Sequence, residues 1–64
     1  MYLKRLREIR EDRDLKQRQI AELLNITQEQ YYLYECGKRT IPIDLLVKLC
    51  KFYRISADYI LELK

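Results

Sequence analysis

Between Ile26 and Arg39 the chain reads ITQEQYYLYECGKR, and most of its side chains can donate or accept a hydrogen bond. Amides at Gln28 and Gln30, carboxylates at Glu29 and Glu35 and phenols at Tyr31, Tyr32 and Tyr34 crowd together, and the cations Lys38 and Arg39 follow directly behind Gly37. Groups of this kind recognise polar edges and anions. The rest of the chain gives them no catalytic partner. It contains no histidine, so Cys36 and Cys50 can build neither a Cys/His zinc site nor a Cys–His nucleophile, and they read as buried thiols. A single glycine rules out a phosphate-cradling glycine loop, and no pair of apposed carboxylates stands out. The expectation is a binding protein, with no catalytic residue, cofactor or metal and no evident small-molecule ligand.

The elements that position these groups are helices. With 64 residues the chain forms one domain, 1–64, and a domain that small buries only about 60% of the surface of its unfolded chain. An apolar fraction of 48% beside 36% charged residues favours a folded helical globule over a disordered tail. Leu3, Leu6 and Ile9 form one apolar stripe amid the charges of a first helix. Ile20, Ala21 and Leu24 form a second in Gln17 to Leu24, which stops at Asn25, a residue tolerant of left-handed backbone. Thr27 with Gln30 has the form of a capping box, so a third helix starts near Gln28, turns Tyr31, Tyr34 and Glu35 inward and ends at Gly37. Pro42 and Asp44 open a fourth with the stripe Leu46, Leu49, Cys50 and Tyr53, and Ser56 caps a fifth that buries Ile60 and Leu61. No segment has the period of a strand. Uncharged runs are far too short to span a bilayer, and MYLKRLREIR lacks the apolar stretch of a signal peptide, which predicts a cytoplasmic protein without membrane association.

Five short helices, two of them joined by a turn of a few residues, are an arrangement that places a helix in a DNA groove. The run LKQRQIAELLNITQEQY from Leu15, followed by YECGKR from Tyr34 and IPIDLLVKLC from Ile41, resembles the helix-turn-helix domain of the phage repressor and Cro superfamily, the XRE-type regulators. The elements are individually weak, but their order and spacing hold from about Leu3 to Leu61. The resemblance implies an all-α, lambda-repressor-like bundle of five helices. It also implies a transcriptional regulator, a repressor, that binds a palindromic double-stranded DNA operator as a homodimer, with the third helix in the major groove.

If Tyr31 and Tyr34 face inward, then Gln28, Glu29, Tyr32 and Leu33 face outward, with Cys36 at the end of the row. Gln28 suits the N6 and N7 atoms of adenine, Glu29 the amino group of cytosine, and Tyr32 a thymine methyl or a phosphate. The reading helix is not basic. Its cations flank it, as suits phosphate contacts that position while a nearly neutral helix reads. Lys16, Arg18, Lys38 and Arg39 are those flanking cations. Resemblance gives Gln17 a phosphate contact, and Thr27 and Gln30 are similarly placed for phosphate oxygens. Resemblance also assigns a partly buried ion pair to Arg10 and Glu35. Several residues depart from the family. Asp14, Asn25 and Arg54 stand at helix ends where most members have glycine, and the arginine implies a changed loop after the fourth helix. Leu33 replaces a polar reader, and Leu23 is unexpected on an outward face. An interaction module of the antitoxin or inhibitor kind, binding a protein through Leu23, Tyr32 and Leu33, is the alternative.

Overall fold

The computed structural model describes residues 3–63. Within them lie α1 (Lys4–Asp12), α2 (Gln17–Leu24), α3 (Gln28–Glu35), α4 (Ile43–Tyr53) and α5 (Ala57–Ile60), and no strand. The helix ends are set by local chemistry. At the start of α3 the Gln30 N–H donates to Thr27 Oγ1 at 3.1 Å and the Thr27 N–H to Gln30 Oε1 at 3.0 Å, the reciprocal capping box that the sequence predicts. Only half of that device caps α2, where the Lys16 N–H donates to Gln19 Oε1 at 2.8 Å. Ser56 Oγ accepts from the Tyr59 N–H at the start of α5.

The exits use left-handed backbone. Asp14, Asn25 and Arg54 have φ of 55°, 59° and 59°, and Gly37 has 84°. At Asn25 this lets the next N–H, that of Ile26, reach back to Ala21 O at 3.0 Å, and at Arg54 the Ile55 N–H reaches Cys50 O at 3.1 Å. The departures from glycine therefore leave the cap geometry in place, the one after α4 included. Arginine simply carries a steric cost there, about 1 kcal/mol, that glycine avoids.

The core is one cluster: Leu3, Leu6 and Ile9; Ile20, Ala21 and Leu24; Tyr31; Leu46, Leu49 and Tyr53; and Ile60. Helix α1 threads the others together. Arg13 donates to Tyr53 O at the end of α4 at 2.8 Å, and Arg5 donates to Tyr59 O in α5 at 3.0 Å. Each guanidinium also lies over the ring of the same tyrosine, at 5.1 and 4.5 Å from the centroid. A cation on the last carbonyls of a helix answers its dipole, and the ring face adds a cation–π attraction.

Three expectations about burial need correction. Tyr34 is half-buried and outside the core cluster, so α3 inserts Tyr31 and Glu35 alone. Cys36 and Cys50 are free thiols but half-buried. Leu61 packs against the core without being enclosed by it. The two buried phenols carry a cost of their own. Neither the Tyr31 nor the Tyr53 hydroxyl makes a hydrogen bond of acceptable geometry among the described residues. Burial, reinforced by the nearby Glu35 carboxylate, pushes the Tyr31 phenol far above its ordinary value, and burial pushes Tyr53 up to about 12. Among the described residues no helix is long and apolar enough to cross a membrane.

Candidate nucleic-acid interface

Helices α2 and α3 are joined by Asn25, Ile26 and Thr27 alone, and their mutual orientation is held by a polar network on one carboxylate. Glu35 is only 3% exposed. Arg10 grips it with two parallel bonds, Nε to Oε2 at 3.0 Å and Nη2 to Oε1 at 3.1 Å, and gives its remaining Nη1 to Leu15 O at 2.8 Å. Gln17 adds a bond from Nε2 to Glu35 Oε1 at 3.3 Å. One buried anion therefore ties α1, the loop behind it, the first residue of α2 and the last residue of α3. The ion pair expected of Arg10 and Glu35 is present, and it raises the arginine further above its already high pKa, chiefly through the hydrogen bonds. Outside that network the Leu3 N–H donates to Glu35 O at 3.2 Å, so the residue that leads into α1 is also pinned to α3.

The outward face of α3 is shorter than the sequence suggests. Gln28 and Glu29 are exposed and Tyr32 is 45% exposed, but Leu33 is half-buried, so it presents less of itself to solvent than an outward residue should. Its carbonyl closes the C-terminal turn by accepting from the Arg39 N–H at 3.1 Å and from Cys36 Sγ at 3.7 Å. Lys38 brings its Nζ to 6.0 Å from the Tyr32 ring centroid. Arg39, Arg18, Thr27 and Gln30 are exposed. Arg39 lies beside an apolar cleft lined also by Leu3, Ile41 and Leu46.

Each polar residue at this face keeps part of its hydrogen-bonding capacity. Thr27 spends an acceptor on its cap and keeps its hydroxyl proton, and Gln30 spends its carbonyl oxygen and keeps its amino group. Gln17 commits its amide nitrogen to Glu35, leaving one of two N–H bonds. Each thus retains a donor, and none retains a surplus of charge. Leu23 is 43% exposed on α2. A hollow of about 250 Å³ opens where α1, α2 and α3 meet, lined by Arg7, Arg10, Gln17, Tyr32, Glu35 and Cys36. Sequence reasoning passed over Arg7, although its place three residues before Arg10 puts both on one side of α1.

Against known proteins, a helix-turn-helix family model matches residues 6–60. The chain is 41% identical over 63 residues to the HTH-type transcriptional regulator YobD of Bacillus subtilis, covering 98% of this chain and 56% of that one. It is 40% identical over 58 residues to the HTH-type transcriptional regulator ImmR of the same organism, covering 91% and 46%. It is 31% identical over 55 residues to the cryptic phage CTXphi transcriptional repressor RstR of Vibrio cholerae, covering 86% and 50%. The chain thus spans about half the length of the curated relatives it matches. No solved structure matches it significantly.

Proposed function

The chain belongs to the XRE-type helix-turn-helix family, and from that premise we propose that it binds double-stranded DNA through α3 and regulates transcription, as a repressor. The observation that carries this reading is the exposed N-terminal half of α3, which is capped by Thr27 and braced through Glu35 on two other helices. A reader must be rigid before it meets DNA, because ordering it on the duplex would consume binding energy. Gln28 and Glu29 read base edges and Tyr32 meets a thymine methyl, with Leu33 limited to a partial apolar contact. Lys38, Arg39 and Arg18 neutralise phosphates, while Gln17, Thr27 and Gln30 donate their remaining protons to phosphate oxygens. The protein works in the cytoplasm, where the operator is, as a homodimer on a palindromic site.

Selection from random duplex DNA at physiological salt tests the reading, with one enriched and two-fold-symmetric site as the expected result. Failure to enrich any site would sink it. The exposed Leu23 and Tyr32 would then be read as a protein-binding face.

A further inference from the structure

We propose that Arg7 contacts the DNA backbone, its guanidinium taking a phosphate at the mouth of the hollow between α1, α2 and α3. This rests on the duplex-DNA reading above. The walls of the hollow are polar, but most of their charge is already matched. Arg10 and Glu35 neutralise one another through two short bonds, and Leu15 O takes a further Arg10 donor. Gln17 is neutral. The other cation on the wall is Arg7.

Arg7 is placed to exchange partners. Its Nε lies 3.4 Å from Glu11 Oε2, four residues along α1, with both side chains 53% exposed. Exposed pairs at that spacing contribute little, whereas a guanidinium on a phosphate forms a charge-assisted and often bidentate contact. Tyr32 continues the strip. It lines the hollow with Arg7 and also carries Lys38 over its ring, so Arg7, Tyr32 and Lys38 form one run of donors across α1 and α3. Lys38 and Arg39 both follow α3, whereas Arg7 reaches the interface from α1 and so serves a different phosphate.

The test titrates wild type, Arg7→Gln and Arg7→Lys against the selected duplex and a scrambled one at several salt concentrations. It then repeats the titration with each phosphate in turn replaced by an uncharged methylphosphonate. For Arg7→Gln the slope of log K against log salt should become shallower by about 0.9 on both duplexes, and Arg7→Lys should keep the wild-type slope. One phosphate whose neutralisation weakens the wild type should be silent in Arg7→Gln. Glu11→Gln, which removes an acid beside Arg7, should tighten both duplexes. An Arg7→Gln protein with wild-type slope and wild-type phosphate profile overturns the proposal while leaving the DNA reading intact, as does a Glu11→Gln protein that binds no tighter. A wild type that binds no duplex overturns both.

Discussion

A base reader and a phosphate contact respond to different things, and single substitutions separate them. Gln28 is exposed in the first turn of α3, and its amide can pair with adenine at both N6 and N7. Gln28→Ala should weaken the preferred site by about 1 to 3 kcal/mol and leave a scrambled duplex nearly unaffected. Lys38→Ala should weaken both duplexes alike and flatten the salt slope by about one. Titration of the two mutants against both duplexes decides, and equal weakening by Gln28→Ala would remove it from the list of readers. Away from the interface, Tyr53 makes a sharper prediction about pH. Its phenol, buried and held up to about 12, keeps its proton in the fold at pH values where the unfolded chain, near its ordinary 10, has begun to lose it. Ionisation therefore favours the unfolded state. The stabilisation is complete below about pH 10 and is lost as pH rises through the folded value. Tyr53→Phe removes the unpartnered hydroxyl, keeps the ring under Arg13, and should leave stability at pH 7 unchanged or higher while extending it further into alkali. Denaturant melts at pH 7 and pH 11 measure both.

At the scale of the helix, what was legible in the sequence is what local chemistry decides. The α2 and α3 boundaries follow from Asn25, from the Thr27–Gln30 box and from Gly37, each of which acts within a few residues of itself. Which aromatics α3 buries was not legible in the same way. Tyr34 and Glu35 lie three and four residues after Tyr31, both at helical spacing from it, and Tyr32 and Leu33 make the opposite face nearly as apolar, so packing against α1 and α2 had to choose. It took Tyr31 and Glu35 and left Tyr34 half-buried. Helix ends also yield a testable contrast. Arg54 and Asn25 share the same left-handed geometry, φ 59° in each, but arginine holds it against its Cβ with no local hydrogen bond to offer, whereas asparagine tolerates it. Arg54→Gly should stabilise the domain by up to about 1 kcal/mol, reduced somewhat by the added freedom of glycine in the unfolded chain, and Asn25→Gly should do little. Thermal melting compares them, and a larger gain at Asn25 would contradict the steric account. Glu35→Ala acts in the opposite direction. By stranding Arg10, it should cost about 3 to 5 kcal/mol, and a melting temperature within a degree of wild type would show that the network carries no stability.

At the scale of the whole molecule, the site is less legible than the fold because it depends on where separate elements meet. The family pattern marks residues on α2 and α3, which are adjacent in sequence, but the hollow that includes Arg7 exists only once α1 packs across both. The same holds for assembly. One bundle of 29 × 23 × 19 Å presents a single short reading helix, and the few base pairs it can touch define too little sequence to pick an operator from a genome. In the proposed paired mode, two copies related by a two-fold axis would double the contacts, with α3 helices about 34 Å apart in successive major-groove segments on one side of the duplex. In that mode their contact surface would lie away from α2 and α3. There the molecule exposes Ile43 at 76% and Leu63 at 67%, with Val47, Phe52 and Tyr59 each near half, all on α4, α5 and the residues behind them. Ile43→Asp should therefore weaken dimer formation on DNA while leaving a single half-site bound as tightly as before, since residue 43 begins α4 and takes no part in the α3 network. Gel-shift titration on whole and half operators gives the comparison. A wild type that binds a whole operator no more tightly than a half, or that protects one asymmetric half-site at saturation, would rule out the paired mode.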